Sequence, residues 1–207
     1  MESLKEMLLN WVEELEEYHM PSWSELPDID LYMDQVITYL ERQLSISKPN
    51  DEKLITPSMI NNYVKNEIIP RPIQKKYTRE HMAHLISVLN LKNIVSLMEI
   101  AKLISHETFD RPIDDLYNKL TTIQDEAIKS TATRVKESLL NLETDTNNID
   151  EEKLSLLALK FTLEANACRI AAKKIIDELD VNIDKQQQIE NKDKAKSNGK
   201  DTTKTKK

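Results

Sequence analysis

Ser58, Asn61, Asn62 and Lys65 recur at helical spacing, which places all four on one face of a single helix. Each is a hydrogen-bonding side chain that carries no negative charge. Asparagine can pair with the major-groove edge of adenine, and serine or lysine can reach guanine edges or phosphate oxygens. Arg71, Lys75, Lys76 and Arg79 follow shortly afterwards. Cations in that position would grip phosphates and so orient the helix without reading sequence themselves. The chemistry this pattern supports is recognition of duplex DNA.

The charge distribution isolates the same stretch. The 207 residues carry a net charge of −7. Residues 1–47 hold 11 acids and 2 bases, a net of −9, whereas residues 48–92 hold 8 bases and 4 acids, a net of +4. Residues 93–180 return to −6, from 11 bases and 17 acids, and the last stretch, 181–207, stands at +4, from 8 and 4. A basic island in an acidic chain concentrates an anionic partner locally.

The elements that must position these groups can be read from periodicity and breakers. Thr56-Pro57 is an N-cap hydroxyl with proline at the first helical position, so a helix starts there, turns Ile60, Tyr63 and Val64 inward and ends near Asn66. Ile68-Ile69-Pro70-Arg71-Pro72 reads as extended, because proline biases its predecessor away from helix. Thr78 opens the next helix, with Met82, Leu85, Ile86 and Leu89 on its buried side. His81 and His84 share that helix at a spacing that could hold a metal, but no third ligand cluster accompanies them, so a partly exposed helix surface is expected.

Upstream, Leu4, Leu8, Trp11, Leu15 and Tyr18 form an apolar stripe, broken at Met20-Pro21-Ser22-Trp23. Leu31, Val36, Tyr39, Leu40 and Leu44 recur helically before a polar loop from Ser45 to Leu54. Downstream, Ile94 to Ile104 reads as an apolar core helix. A long helix begins at Asp110-Arg111-Pro112 and reaches Leu142, a loop covers 144–148, and Asp150 caps the last helix. There Leu154, Ala158, Phe161, Ala165, Cys168, Ala172, Ile175 and Leu179 form a heptad seam, in which a small buried thiol is expected. From about Ile183 almost nothing can be buried, and disorder is predicted.

The run ITPSMINNYVKNEIIP from Ile55 to Pro70, followed by KYTREHM from Lys76, resembles the winged helix-turn-helix of MerR-like regulators. More closely, the stretch from Leu26 (LPDIDLYMDQVITYLERQL) to about Ile104 is similar to domain-of-unknown-function family 1836. The resemblance implies a helical DNA-binding domain in which Ser58, Asn61 and Asn62 read bases, Tyr63 is an inward aromatic and Ile68-Ile69-Pro70 begins the wing. Two departures stand out: Ser58 and Asn61 occupy positions where MerR-like proteins often place arginine, and Glu67 stands where they usually have glycine.

Other function classes find little support. The chain has one glycine, Gly199, so phosphate-cradling loops lack their usual residue. One cysteine gives neither a disulfide nor a metal-binding pattern, and no nucleophile stands beside a base. No apolar run approaches the ~20 residues that span a bilayer. The expectation is therefore an all-α cytoplasmic protein, not an enzyme and without cofactors. An N-terminal amphipathic helix (1–25) precedes a winged helix-turn-helix-like domain (26–108). A long helical extension (109–182) serves dimerisation or regulation, and a basic tail (183–207) ends the chain. Its expected partners are double-stranded DNA and a second copy of itself, with no membrane. The alternative is a helical adaptor that binds another protein through its acidic N-terminal stripe or its C-terminal helices.

Overall fold

The computed structural model describes residues 3–47, 53–108, 112–142 and 151–198, with side chains in the last helix only as far as Leu179. The chain forms α1 (Leu4–Glu17), α2 (Met33–Gln43), α3 (Pro57–Lys65), α4 (Arg79–Leu91), α5 (Leu97–Thr108), α6 (Ile113–Leu140) and α7 (Glu151–Asn198). Short 3-10 turns lie at Trp23–Glu25 and Ser45–Ser47. The fold is all-α, and among the described residues β structure is confined to two isolated bridges, Leu31 with Tyr77 and Ile73 with Lys76. It divides into two compact units, residues 1–162 and 163–207. The residues that start the helices do so by satisfying orphan amides. Ser3 and Glu6 form a reciprocal capping box on α1, and Ser96 and Glu99 do the same on α5. The predicted starts at Thr56 and Thr78 are the observed N-caps of α3 and α4.

At the core of the first unit is α4, which packs on both α5 and α6. Every residue from His81 to Leu89 is buried, so the middle of this helix has no solvent face, and Glu80 in its first turn is exposed. The predicted Met82, Leu85, Ile86 and Leu89 are among them, but the expected exposed surface at His81 and His84 is not there: both rings are buried. The polar groups enclosed with them are partly satisfied locally. Ser87 donates to the Ala83 carbonyl at 2.8 Å, and Thr78 donates its backbone amide to His81 Nδ1 at 3.1 Å, with its hydroxyl 2.8 Å from the same nitrogen. The predicted core helix over Ile94 to Ile104 is present and packs on α4 and α6, but it starts later and is covered on one side. Ile94 lies in a turn and α5 starts at Leu97; Val95, Ile100 and Ile104 are buried, while Ile94 and Met98 are exposed. An apolar run of that length cannot show by periodicity alone which side is covered.

A second cluster joins α1 to α6. Val12, Ala132 and Leu139 are buried together, ringed by Leu8, Leu9, Leu15, Val135 and Leu142, with Leu154 and Leu157 from the start of α7. Lys136 adds an ion pair to Glu16 at 2.8 Å. The inward stripe of α1 therefore runs through Leu8, Val12 and Leu15, and Leu4 and Trp11 of the predicted stripe are exposed, Trp11 by 45%. After α1 a strap, Met20 to Trp23, is fastened along α6. Asp125 accepts from the Met20 amide at 2.9 Å, Tyr117 donates to the Pro21 carbonyl at 2.8 Å, and Asn118 accepts from the Trp23 amide at 3.2 Å. Tyr117 is fully buried with the Trp23 ring edge-on at 6.2 Å, and burial pushes its phenol far above the usual tyrosine range.

The heptad seam predicted on α7 is only partly covered. Leu154 is half-buried on the α1/α6 cluster and Phe161 lies beneath the Arg134 guanidinium at 5.3 Å, but Ala158 and Ala165 are exposed. In the second unit Cys168 is exposed, against the expected buried thiol, and Ile175 is 62% exposed. Small residues form a seam only when another helix lies along them. The helical backbone of α7 also continues to Asn198, past Ile183 where disorder is predicted; lysine, glutamine, glutamate and alanine there are good helix formers even with nothing to bury. The expected starts at Asp110-Arg111 and Asp150, the loop at 144–148 and the final residues from 199 lie outside the described residues.

Burial, with His81 second, lowers the His84 pKa from 6.5 to about 4. The unfolded chain therefore binds this proton more readily than the folded one. The His84 contribution to stability is complete above about pH 6.5 and is lost as pH falls toward 4, reaching about 2 kcal/mol by pH 5. Urea melts at pH 7 and 5 should show that loss in the parent and a much flatter dependence in His84→Gln. Equal dependence in the two proteins would refute the assignment.

Candidate nucleic-acid interface

Helix α3 is short, and both of its ends are fixed from sequence. Thr56 Oγ1 accepts from the Met59 amide at 3.3 Å, with Pro57 at the first helical position. At the other end Glu67 has φ 57°, in the left-handed region. The Glu67 amide donates to the Val64 carbonyl at 3.1 Å and the Ile68 amide to Tyr63 at 2.9 Å, the paired bonds of a Schellman motif. Between the caps, Ile60 and Tyr63 are buried, while Ser58, Asn61, Asn62 and Lys65 are all exposed on the opposite side. The four predicted base-facing residues thus share one solvent-facing surface.

The two asparagines differ in what remains open to a ligand. Asn66 donates its amide to Asn62 Oδ1 at 2.9 Å and to the Asn62 carbonyl at 2.8 Å. Adenine pairing needs an acceptor and a donor from one side chain. Asn62 already spends acceptor capacity on the helix end, so Asn61 is the better placed of the two for that pairing.

The chain then passes the buried Ile68-Ile69 anchor and reaches a tight turn. Gln74 and Lys75 have φ of 51° and 63°, and Lys76 donates its amide to the Ile73 carbonyl at 2.9 Å. Two successive left-handed residues across such a bridge make a type I′ hairpin turn, here without glycine. Tyr77 exchanges both backbone hydrogen bonds with Leu31, at 2.8 and 2.9 Å, tying the turn to the residues before α2. Of the four predicted cations, Arg71 and Lys75 are exposed, with Lys75 at the tip of the turn. Lys76 is half-buried, 5.6 Å over the Tyr32 ring. Arg79 is also half-buried, 5.9 Å from the Trp23 ring and donating weakly to the Pro27 carbonyl at 3.5 Å. Trp23 and Tyr32 escaped the sequence reading, because both lie far along the chain from the cations they meet and no local spacing pointed to them.

From Met20 to α6 the first unit thus holds a strap, the four helices α2 to α5 and the turn before α4. Residues 21–120 match the family described as Domain of unknown function (DUF1836). No curated protein and no solved structure matches the chain. The DUF1836 match is wider than the Leu26–Ile104 resemblance in the sequence, and the structure gives a reason for the wider bounds. Pro21 at one end is hydrogen-bonded by Tyr117 near the other, so the matched stretch closes on itself. All eight candidate contact residues fall inside the DUF1836 stretch.

The left-handed Glu67 is strained, because its Cβ crowds the backbone at a cost of ~1–2 kcal/mol that glycine avoids. Glycine also gives the unfolded chain more freedom, so Glu67→Gly should stabilise the fold by about 0.5–1 kcal/mol. Denaturant melts would check this, and a destabilised Glu67→Gly would contradict the capping geometry.

Proposed function

We propose that this chain is a transcription regulator that binds duplex DNA as a homodimer, with no catalytic step. In this reading α3 lies in the major groove, Asn61 and Ser58 contact base edges, and Lys65, Arg71, Lys75 and Lys76 hold phosphates. The observation that carries it is the order of α3, a Schellman end, a rigid type I′ turn tipped by Lys75, and α4. This order resembles the reading helix and wing of a winged helix-turn-helix, and that likeness is what favours the MerR-like reading of the motif.

Exposed Leu156 and Leu159, then Leu163 and Ile170, follow one another on α7 by 3, 4 and 7 residues. That spacing favours helix pairing with a second copy. Two copies would present two α3 helices to half-sites about one helical turn apart. A second reading, a helical adaptor, is favoured by the exposed apolar residues Leu4, Met7 and Trp11 on α1.

Selection of bound sequences from random duplex DNA at physiological salt separates the two readings; an adaptor would enrich none. Lys75→Glu with Lys76→Glu should weaken binding to every DNA sequence and reduce the slope of log K against log salt by about 1.8, because two phosphates are no longer neutralised. An unchanged slope would remove the turn from the interface. Sedimentation equilibrium should return a dimer mass that dissociates on dilution. A monomer mass at every concentration would overturn the homodimer.

A further inference from the structure

Between the end of α3 and α5 lies a cleft of about 320 Å³, walled by Val64, Ile68 and Ile104 and lined also by Glu67, Arg71 and His84. That volume is at the lower end of small-ligand sites, ~300–1,000 Å³. Its apolar wall belongs to the core, with Ile68 and Ile104 only 6% and 7% exposed. Thr108 on its rim donates to the Ile104 carbonyl, but two of its charged side chains are uncommitted. Among the described residues neither Glu67 nor Arg71 makes an ion pair, although both line this cleft. His84 Nδ1 is buried without a hydrogen-bond partner, which is uncommon in a folded core. Glu67 also sits in the strained left-handed conformation. Strain of this kind concentrates at ligand sites, and here it comes with a carboxylate on the cleft.

We propose that this cleft binds a small zwitterion with a branched apolar body, the chemistry of a free branched-chain α-amino acid. Its carboxylate seats on Arg71, whose forked donors match two carboxylate oxygens. Its ammonium seats on Glu67, which would repel a simple carboxylate and so favours the zwitterion over an anion. The branched side chain lies against Val64, Ile68 and Ile104. His84, uncharged at neutral pH, lines the site without adding a net charge.

The test is calorimetric titration of the full chain with leucine, isoleucine and valine, with thermal unfolding alongside. At least one of the three should bind and raise Tm. The analogues 4-methylpentanoate and isoamylamine, which keep the apolar body but lose the ammonium or the carboxylate, should bind at least about tenfold more weakly. Arg71→Ala, at an exposed position that the fold does not need, should weaken binding by a similar factor, and Ile104→Trp should fill the cleft and abolish it. No binding of any of the three at millimolar concentration, or undiminished binding by Arg71→Ala, overturns the site. Equal binding of 4-methylpentanoate overturns the role of Glu67 and the zwitterion with it. These measurements use the protein alone, so their outcome is independent of whether it binds DNA.

Discussion

A helix enclosed on every side through its middle is the constraint from which the first unit is built. Because α4 offers no face to water from His81 to Leu89, its neighbours are obliged to surround that stretch. The enclosure reaches the surface through the α4 N-terminus. Thr78 caps α4 and is bonded to the buried His81, and the Tyr77 ring stands edge-on to His81 at 5.5 Å. The type I′ turn ends at those residues. Its position is therefore inherited from the best-packed part of the molecule, unlike that of a free loop.

The basic island is smaller in effect than its net charge suggests. Lys92 donates to the Leu54 carbonyl at 2.8 Å, and burial lowers its pKa. Arg79 and Lys76 lie over aromatic rings. These three cations hold the loop before α3, the strap and the head of α2 in place. Lys76 is only half-buried and keeps part of its surface open, and Lys65, Arg71 and Lys75 are exposed. One sequence segment thus divides its positive charge between building the fold and facing a partner, and the division follows which cations have an aromatic or a carbonyl within reach.

How much of this was legible depended on whether a signal was local. Thr56-Pro57, Thr78 and the end of α3 near Asn66 could be read because caps act within one turn. So could the outward set Ser58, Asn61, Asn62 and Lys65, since a short helix with Ile60 and Tyr63 inside has little choice about its other face. The enclosure of α4 could not be read. Its second side carries His81, Ala83, His84, Ser87 and Val88, and small or moderately polar residues look the same in sequence whether covered or exposed. The α1 stripe failed similarly: Trp11 and Val12 are adjacent, and only the partner helix decides which is inside. Cys168 and Ile175 belong to a pattern whose meaning requires another helix. The two rings that hold Lys76 and Arg79 are distant in sequence from their cations, so no local pattern joins them.

The near absence of glycine has a consequence in the unfolded chain. Glu67, Gln74 and Lys75 accept left-handed backbone that glycine would adopt freely. A chain without glycine over its first 198 residues has fewer conformations available before it folds. It therefore loses less disorder on folding, while the strain stays at three surface positions. Two of those positions bear full charges and the third an amide. The conformational freedom given up before folding becomes a fixed direction for those side chains afterwards.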